Sequence, residues 1–216
     1  MAAMRTSRRS LFILQEIRKD GQKLGLPNEK PDSEELSLPM DAEDGKWWYC
    51  DIEFPLTKDL VDAKGDEGYA DVSRFKLIHV HAHVIRGPYA GGTFVLQVDL
   101  RATPDYPNES PKCSYLTKIW HPNVNETSGK ICHSHLRGPS DPTPGTWNPM
   151  LRLQHLIQGI LGHFNPEDSA FAPMDPLNPV AAAQYLEEEH AFLAQAADWT
   201  TRYATPRLID PVNLAS

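Results

Sequence analysis

The sequence predicts an α+β protein with an N-terminal helix, a four-stranded antiparallel meander, a long loop and C-terminal helices. Two observations lead to this prediction. Segments of strand-forming residues follow one another through the middle of the chain, and short turns separate most of them, as in an antiparallel meander. After residue 150, apolar residues recur at helical spacing and helix formers are abundant. Strands followed by helices are typical of the α+β class.

The first predicted helix covers residues 9–24, where four apolar residues recur at roughly helical spacing: Leu11, Leu14, Ile17 and Leu24. Ser10 is a suitable residue to cap its start. Two polar insertions, near 27–45 and 57–71, interrupt the pattern that follows. The first is rich in proline, serine and acidic residues and predicts a loop or linker.

Four strands are predicted, over residues 46–54, 75–85, 93–102 and 112–119. Glycines and a proline at 87–92 mark a turn, and a connection with several prolines occupies 104–111. Short connections of this kind allow neighbouring strands to pair antiparallel.

Two further helical regions are predicted near the C-terminal end. Residues 151–164 carry apolar side chains on one face and predict a helix buried on one side. Asn178 is suited to cap, and Pro179 to begin, a region rich in helix formers that runs to about Ala204. Three consecutive glutamates within this region predict a break between two shorter helices.

The length of 216 residues suits one domain, which we predict over residues 1–206, with a loose tail at 207–216. The net charge of −8 argues against nucleic acid as a partner, because that affinity depends on a basic surface. The apolar runs are too short to span a bilayer, so no membrane partner is expected. Three widely spaced cysteines do not form a disulfide pattern, and we expect free thiols in a reducing compartment.

Three histidines alternate along the second predicted strand and therefore share one face: His79, His81 and His83. Neighbouring positions on that face lie about 6.6–6.8 Å apart. No carboxylate or thiol stands beside them in sequence. We interpret them as a solvated or cross-strand face rather than as metal ligands.

The loop at 120–147 contains the residues best suited to chemistry. Cys132 is a soft nucleophile, and Asn123 is an amide donor that follows the rigid dipeptide His121–Pro122. Acyl transfer needs such a nucleophile and a fixed donor at the developing oxyanion. A zinc site that uses His121, Cys132 and His135 is the alternative, but this spacing lacks the paired ligands of structural zinc sites, and we predict no metal.

Five motifs follow one another in this part of the chain: YPNESPK at 106–112, HPN at 121–123, GKIC at 129–132, WNP at 147–149 and DPLN at 175–178. In this order they resemble the ubiquitin-conjugating enzyme family. The stretches LTKIWHPNV, NET and DPLN, together with the long gap between Cys132 and Trp147, narrow the resemblance further. Within the family they are most similar to the second form of the neddylation conjugating enzyme.

The resemblance implies a site in which Cys132 carries a ubiquitin-like modifier as a thioester and passes it to a lysine. Asn123 would donate to the oxyanion or hold the loop that does so, and Asp175 would orient and help to deprotonate the lysine. A helix cap is the structural alternative for Asp175. His121, Pro122 and Trp147 would have structural roles beside the site.

The resemblance also implies partners. An activating enzyme consumes the ATP, so no cofactor is expected here, and a ligase of the RING type, with the cullin-associated class as a candidate, completes the reaction. The basic first helix would meet the activating enzyme or ligase through Arg8, Arg9, Arg18 and Lys19. The ligase-facing loops correspond to Asn108 and to Asn148–Pro149. A cytoplasmic or nuclear location follows from the same resemblance.

The sequence departs from the family pattern around the cysteine. The gap between Asn123 and Cys132 is one residue longer than usual, and His133 stands where an aliphatic residue is common. The family also implies a cis peptide bond at Ser110–Pro111. Three alternatives remain from the sequence: ubiquitin itself as the modifier, an inactive family member that serves as a binding adaptor, and a metal-binding module.

Overall fold

The computed structural model describes residues 47–53, 77–103, 105–138, 141–143, 145–173 and 175–205. Several sequence predictions fall outside these residues. They concern the helix over 9–24 with its basic residues, the insertions at 27–45 and 57–71, and the tail at 207–216.

A four-stranded antiparallel sheet forms the first layer, with strands β1 (Trp48–Glu53), β2 (Leu77–Val84), β3 (Thr93–Asp99) and β4 (Lys112–Tyr115). The strands lie side by side in sequence order, and each neighbouring pair is antiparallel. The predicted meander is therefore confirmed.

Strand β4 is shorter than the predicted strand at 112–119. A contact with β3 ends the pairing, because the hydroxyl of Thr117 accepts the backbone N–H of Val95 at 3.0 Å. A side chain thus replaces the carbonyl with which a continuing strand would pair, and the chain turns away from the sheet.

Strand β2 shows why the sheet has two unlike faces. Its apolar residues, among them Val80 and Ala82, have no exposed surface, while the three histidines of the other face are partly exposed. His83 Nδ1 and the Thr93 hydroxyl are hydrogen-bonded at 3.0 Å across to β3, and His79 contacts Gln97 at 3.4 Å. These contacts agree with the prediction of a cross-strand face.

In the described part of the chain, three helices follow the sheet: α1 (Leu153–Leu161), α2 (Pro179–Glu187) and α3 (Glu189–Trp199). A 3₁₀ turn at Gly162–Phe164 extends α1, and a π-helical turn at Thr200–Ala204 extends α3. Asn178 caps α2 as predicted, because its Oδ1 accepts the backbone N–H of Ala181 at 3.1 Å. The predicted break within the glutamates is also present, at Glu188.

Several aromatic side chains pack together within the core between the sheet and the helices. Phe94 of β3 and Phe164 after α1 have no exposed surface, and their ring centroids lie 4.9 Å apart. Full burial of each such side chain contributes about 1.5–3 kcal/mol. Tyr89 packs edge-on against both rings, and its hydroxyl donates to the carbonyl of Trp120 at 2.7 Å. This bond attaches the start of the long loop to the core.

The connection before β4 corrects one prediction. The cis peptide bond lies at Tyr106–Pro107, and the predicted cis bond at Ser110–Pro111 is wrong. Ser110 has a different role, because its hydroxyl donates to the carbonyl of Leu136 at 2.8 Å. It thereby ties this connection to the loop that follows Cys132.

No helix in the described part of the chain has both the length and the apolar character that crossing a membrane requires.

Candidate active site

A short hairpin brings the backbone of Cys132 beside that of Asn123. Asn125 and Lys130 face each other across it, and an antiparallel bridge joins Val124 to Ile131. As a result, the backbone N–H of Cys132 donates to the carbonyl of Asn123 at 2.8 Å. The nine-residue separation in sequence therefore becomes direct contact.

Gly129 allows this hairpin to pack against the end of β4. Its φ of +67° is a left-handed conformation that favours glycine. A Cβ atom there would lie 1.9 Å from the carbonyl oxygen of Tyr115, and this oxygen belongs to the backbone. The position therefore requires glycine for both conformation and space.

The HPN turn at 121–123 is held rigidly from within. His121 has no exposed surface, and its Nδ1 accepts the backbone N–H of Asn123 at 3.0 Å. The carbonyl of Pro122 accepts the backbone N–H groups of Leu177 and Asn178, each at 3.0 Å. The same turn thus anchors both the cysteine hairpin and the segment that carries Asp175.

The side chain of Asn123 is directed at a loop. Its Nδ2 donates to the carbonyls of Ala170 at 2.9 Å and of Ala172 at 2.8 Å, and the residue is 2% exposed. Both amide protons are therefore engaged. Of the two roles considered from the sequence, this geometry matches the support of a loop rather than direct donation to an oxyanion.

Cys132 is half-buried, and its thiol is free. Burial raises the pKa of the thiol, and the nearby carboxylate of Asp175 raises it further, whereas the positive charges of Arg137 and Lys130 lower it. The net pKa lies above the ordinary value, so the thiol is mostly protonated at neutral pH and its reactivity depends on these charges.

Asp175 lies at the surface near the thiol. Its Oδ2 is 3.8 Å from a guanidinium nitrogen of Arg137, and its side chain is 70% exposed. It does not cap α2, because Asn178 does so. An exposed carboxylate near the thiol remains available to an incoming group. Sequence reasoning missed Arg137, which is one basic residue in a long loop without a recognisable pattern.

Trp147 closes the loop that follows Cys132. Its indole N–H donates to the carbonyl of Pro107 at 3.1 Å, and its ring packs 5.9 Å from that of Tyr106. Its backbone N–H donates to the carbonyl of Arg137 at 3.1 Å. The buried tryptophan therefore joins the connection before β4 to the cysteine loop.

A row of histidine rings runs from the core towards the surface. The ring centroids are 4.5 Å apart for His121 and His163, 5.8 Å for His163 and His133, and 4.8 Å for His133 and His135. Burial lowers the pKa of His121 to about 3 and of His133 to about 4, so these rings are neutral. The sequence offered no functional signal for His163.

The residues predicted to face a ligase are exposed. Asn108 donates to Asp105 at 3.2 Å, and Asn148 donates to the carbonyl of Thr146 at 3.3 Å. Pro149 is also exposed. The four basic residues of the predicted first helix lie outside the described residues.

Within the described ranges, no group of three or more histidine, cysteine, aspartate or glutamate residues is arranged to hold a metal ion. His133 and His135 stack on each other, and His121 Nδ1 already accepts a backbone N–H. The metal alternative therefore has no supporting geometry in this part of the chain.

The antiparallel meander, the buried HPN turn and the loop cysteine together define a ubiquitin-conjugating domain. Two solved structures share this fold. A ubiquitin conjugating enzyme E2 domain of Toxoplasma gondii matches 91% of this chain and 99% of its own, with a TM-score of 0.57 and 22% identity. A second structure, from Plasmodium yoelii, matches 94% of this chain and 99% of its own, with a TM-score of 0.58 and 24% identity.

The family model described as ubiquitin-conjugating enzyme matches residues 57–200, and the chain belongs to this family. Ubiquitin-conjugating enzyme E2 27 of Arabidopsis thaliana is 37% identical over 117 residues, which are 54% of each chain. Ubiquitin-conjugating enzyme E2 21 of Caenorhabditis elegans is 34% identical over 121 residues, 56% of this chain and 50% of its own. The chain spans about half the length of these curated relatives.

Proposed function

We propose that this protein is a ubiquitin-like protein conjugating enzyme that forms a thioester on Cys132 and transfers the modifier to a substrate lysine. One observation carries the proposal: the backbone N–H of Cys132 donates to the carbonyl of Asn123 in the buried HPN turn, while the thiol of Cys132 is free and half-buried. A structural thiol is more often fully buried. A held, accessible thiol in this family's fold is suited to acyl transfer.

The reaction has two acyl transfers. In the first, the Cys132 thiolate attacks the modifier's C-terminal thioester on the activating enzyme, whose thiol leaves. In the second, a lysine amine attacks the new thioester, the Cys132 thiolate leaves, and the amine loses a proton. The activating enzyme consumes the ATP, so this chain needs no cofactor.

Two residues support the second step in this proposal. The exposed carboxylate of Asp175 lies near the thiol and can orient a lysine ammonium and accept its proton. Asn123 holds the loop at 165–173 through the Ala170 and Ala172 carbonyls. In this proposal the held loop maintains the geometry of the site in which the oxyanion forms.

The identity of the modifier is the finer part of the proposal. The relatives in Arabidopsis and Caenorhabditis are named for ubiquitin, and their names favour ubiquitin as the modifier. The motifs LTKIWHPNV and DPLN and the long loop from Cys132 to Trp147 favour the neddylation modifier. These two modifiers are therefore the candidates to compare directly.

The experiment is a charging assay with purified ubiquitin and with the neddylation modifier, each with its own activating enzyme and ATP. A reductant-sensitive adduct with either modifier supports the conjugating function, and the faster adduct identifies the modifier. Lack of any adduct with both, in folded protein, favours the inactive adaptor instead.

The remaining partners and the location belong to the same proposal. A RING-type ligase, including the cullin-associated class, would contact the exposed Asn108 and Asn148–Pro149. The activating enzyme would contact the basic segment that contains Arg8, Arg9, Arg18 and Lys19. We propose a cytoplasmic or nuclear location, where free thiols persist.

A further inference from the structure

The residues after Cys132 form an unusual pair. The rings of His133 and His135 stack with centroids 4.8 Å apart and planes 27° apart. The backbone N–H of His135 donates to His133 Nδ1 at 3.1 Å, and this bond lies at the start of the 3₁₀ turn Ser134–Leu136. The two rings are therefore tied to the backbone that follows the cysteine.

Helix α1 offers this pair a site without a side chain. A Cβ atom on Gly159 would lie 2.6 Å from His135 Nδ1, 3.0 Å from His135 Cε1 and 3.2 Å from His133 Cε1. Glycine inside a helix is about 0.5–1 kcal/mol less stable than alanine. The close approach of the two rings gives a physical reason for glycine at this position.

We propose that His133, His135 and Gly159, here called the histidine seat, position Cys132 for acyl transfer. The three act as positioning residues: the rings rest on the bare helix backbone, and the turn that they hold directly follows the cysteine. This inference rests on the proposed function for its consequence in catalysis. Its structural part, the position of the thiol, is independent of that function.

The test uses Gly159→Ala in the full chain. The new methyl group pushes His135 off the helix, and Cys132 becomes more exposed. We expect alkylation of Cys132 by iodoacetamide, followed by peptide mass spectrometry, to accelerate at least threefold. We expect thioester formation to slow by tenfold or more, because a displacement of about 1 Å can cost about 10²-fold.

Rescue by a second substitution distinguishes the seat from a general fold defect. His135→Ala removes the ring atoms at 2.6 and 3.0 Å from the added Cβ atom. In the His135→Ala background, Gly159→Ala should change the alkylation rate less than twofold. Failure of His135→Ala to reduce the effect of Gly159→Ala would overturn the proposal.

Gly138→Ala is the control, because among the described residues a Cβ atom there lies within 4 Å of Asp141 Oδ2 alone, at 3.8 Å. It should leave both rates unchanged. If Gly159→Ala alone does not fold, His135→Ala with Gly159 retained must still accelerate alkylation, and an unchanged rate there overturns the seat. Alkylation needs no modifier, so wild-type failure to charge counts against the proposed function alone.

Discussion

The three cysteines differ in what surrounds each sulfur. Cys50 is buried in β1, and burial raises the pKa of Cys113 in β4 far above its usual range. Only Cys132 combines partial exposure with nearby positive charges that oppose the effect of burial. Reactivity of a thiol follows thiolate content and access, so the environment singles out Cys132.

Cys132→Ser should replace the reductant-sensitive thioester with a slow, reductant-stable oxyester, since a hydroxyl forms the more stable ester. Gel shifts with and without reductant measure this. Cys113→Ser is the control and should charge normally, because Cys113 lies in a strand. If Cys113→Ser abolished charging and Cys132→Ser did not, the assignment of Cys132 as the nucleophile would be wrong.

Two charges next to Cys132 predict opposite changes in its reactivity. Arg137 lowers the thiol pKa and Asp175 raises it. Arg137→Gln should therefore raise the pKa of Cys132 and slow its alkylation at pH 7, whereas Asp175→Asn should lower the pKa and speed alkylation. The pH dependence of the alkylation rate measures the pKa of Cys132 in each variant.

Asp175→Asn also separates the two proposed steps. Transfer to lysine should slow even though alkylation speeds up, because the carboxylate that receives the proton is gone. Arg202→Gln is the control, since Arg202 pairs with Asp198 on α3, and it should leave the Cys132 pKa unchanged. A parallel change in alkylation and transfer would argue against a direct role for Asp175.

Asn123→Ala leaves the buried carbonyl of Ala170 and that of Ala172 without their donor. The free energy of unfolding should fall by about 1–3 kcal/mol. Transfer to lysine should slow more than charging, because the loop loses its support. Thr201→Ala, at an exposed position whose hydroxyl donates to the carbonyl of Ala197 at 3.1 Å, is the stability control in urea unfolding. Equal losses in both steps would point to a folding defect.

At the scale of elements, the hairpin before Cys132 depends on one glycine. Gly129 and Gly91 both have a positive φ, of +67° and +79°, but only Gly129 faces another backbone. Gly91→Ala should cost about 1–2 kcal/mol for its conformation alone. Gly129→Ala should cost at least about 2 kcal/mol more, because the Tyr115 backbone must move.

Urea unfolding of the two glycine variants gives this difference directly. The comparison removes the common cost of the positive φ and leaves the close approach to Tyr115. Similar losses in both variants would show that the hairpin can shift away from β4 at little cost. Charging of folded Gly129→Ala should also slow, since the hairpin carries Cys132.

The elements that sequence analysis predicted well are those with clear periodicity. Strand β2 alternates, and α1 repeats its apolar residues at helical spacing, so both were predicted correctly. The end of β4 was predicted too late in the chain, because the Thr117 hydroxyl accepts a backbone N–H of β3 in place of a backbone carbonyl. Such a replacement depends on where β3 lies and leaves no trace in local sequence.

At the scale of the whole molecule, buried histidines couple stability to pH. The pKa of His163 lies well below its ordinary value, and both ring nitrogens lack a hydrogen-bond partner in the described part of the chain. The unfolded chain binds protons near pH 6.5 while the folded one does not. Stability is therefore full above pH 6.5 and falls below it, by up to about 1.4 kcal/mol per pH unit per group.

His163→Leu should weaken this dependence. At pH 7 the free energy of unfolding should change by less than about 1.5 kcal/mol, because the swap roughly conserves volume and removes no hydrogen bond to the described residues. Between pH 7 and pH 5 the variant should lose about 2 kcal/mol less of its free energy of unfolding than the wild type loses, since one proton fewer binds on unfolding. Urea unfolding of both proteins at both pH values measures this. The same difference between variant and wild type at pH 7 and at pH 5 would contradict the prediction.

The sequence by itself determined the α+β class, the strand order, the helix cap at Asn178 and the family, because periodicity and ordered motifs are local. Only the tertiary structure decided that Asn123 donates to Ala170 and Ala172, and that Gly159 receives the histidine rings. Those contacts join residues far apart in sequence. Such contacts arise because packing brings distant segments together, and buried polar groups and rings then find their partners among side chains and carbonyls from other parts of the chain.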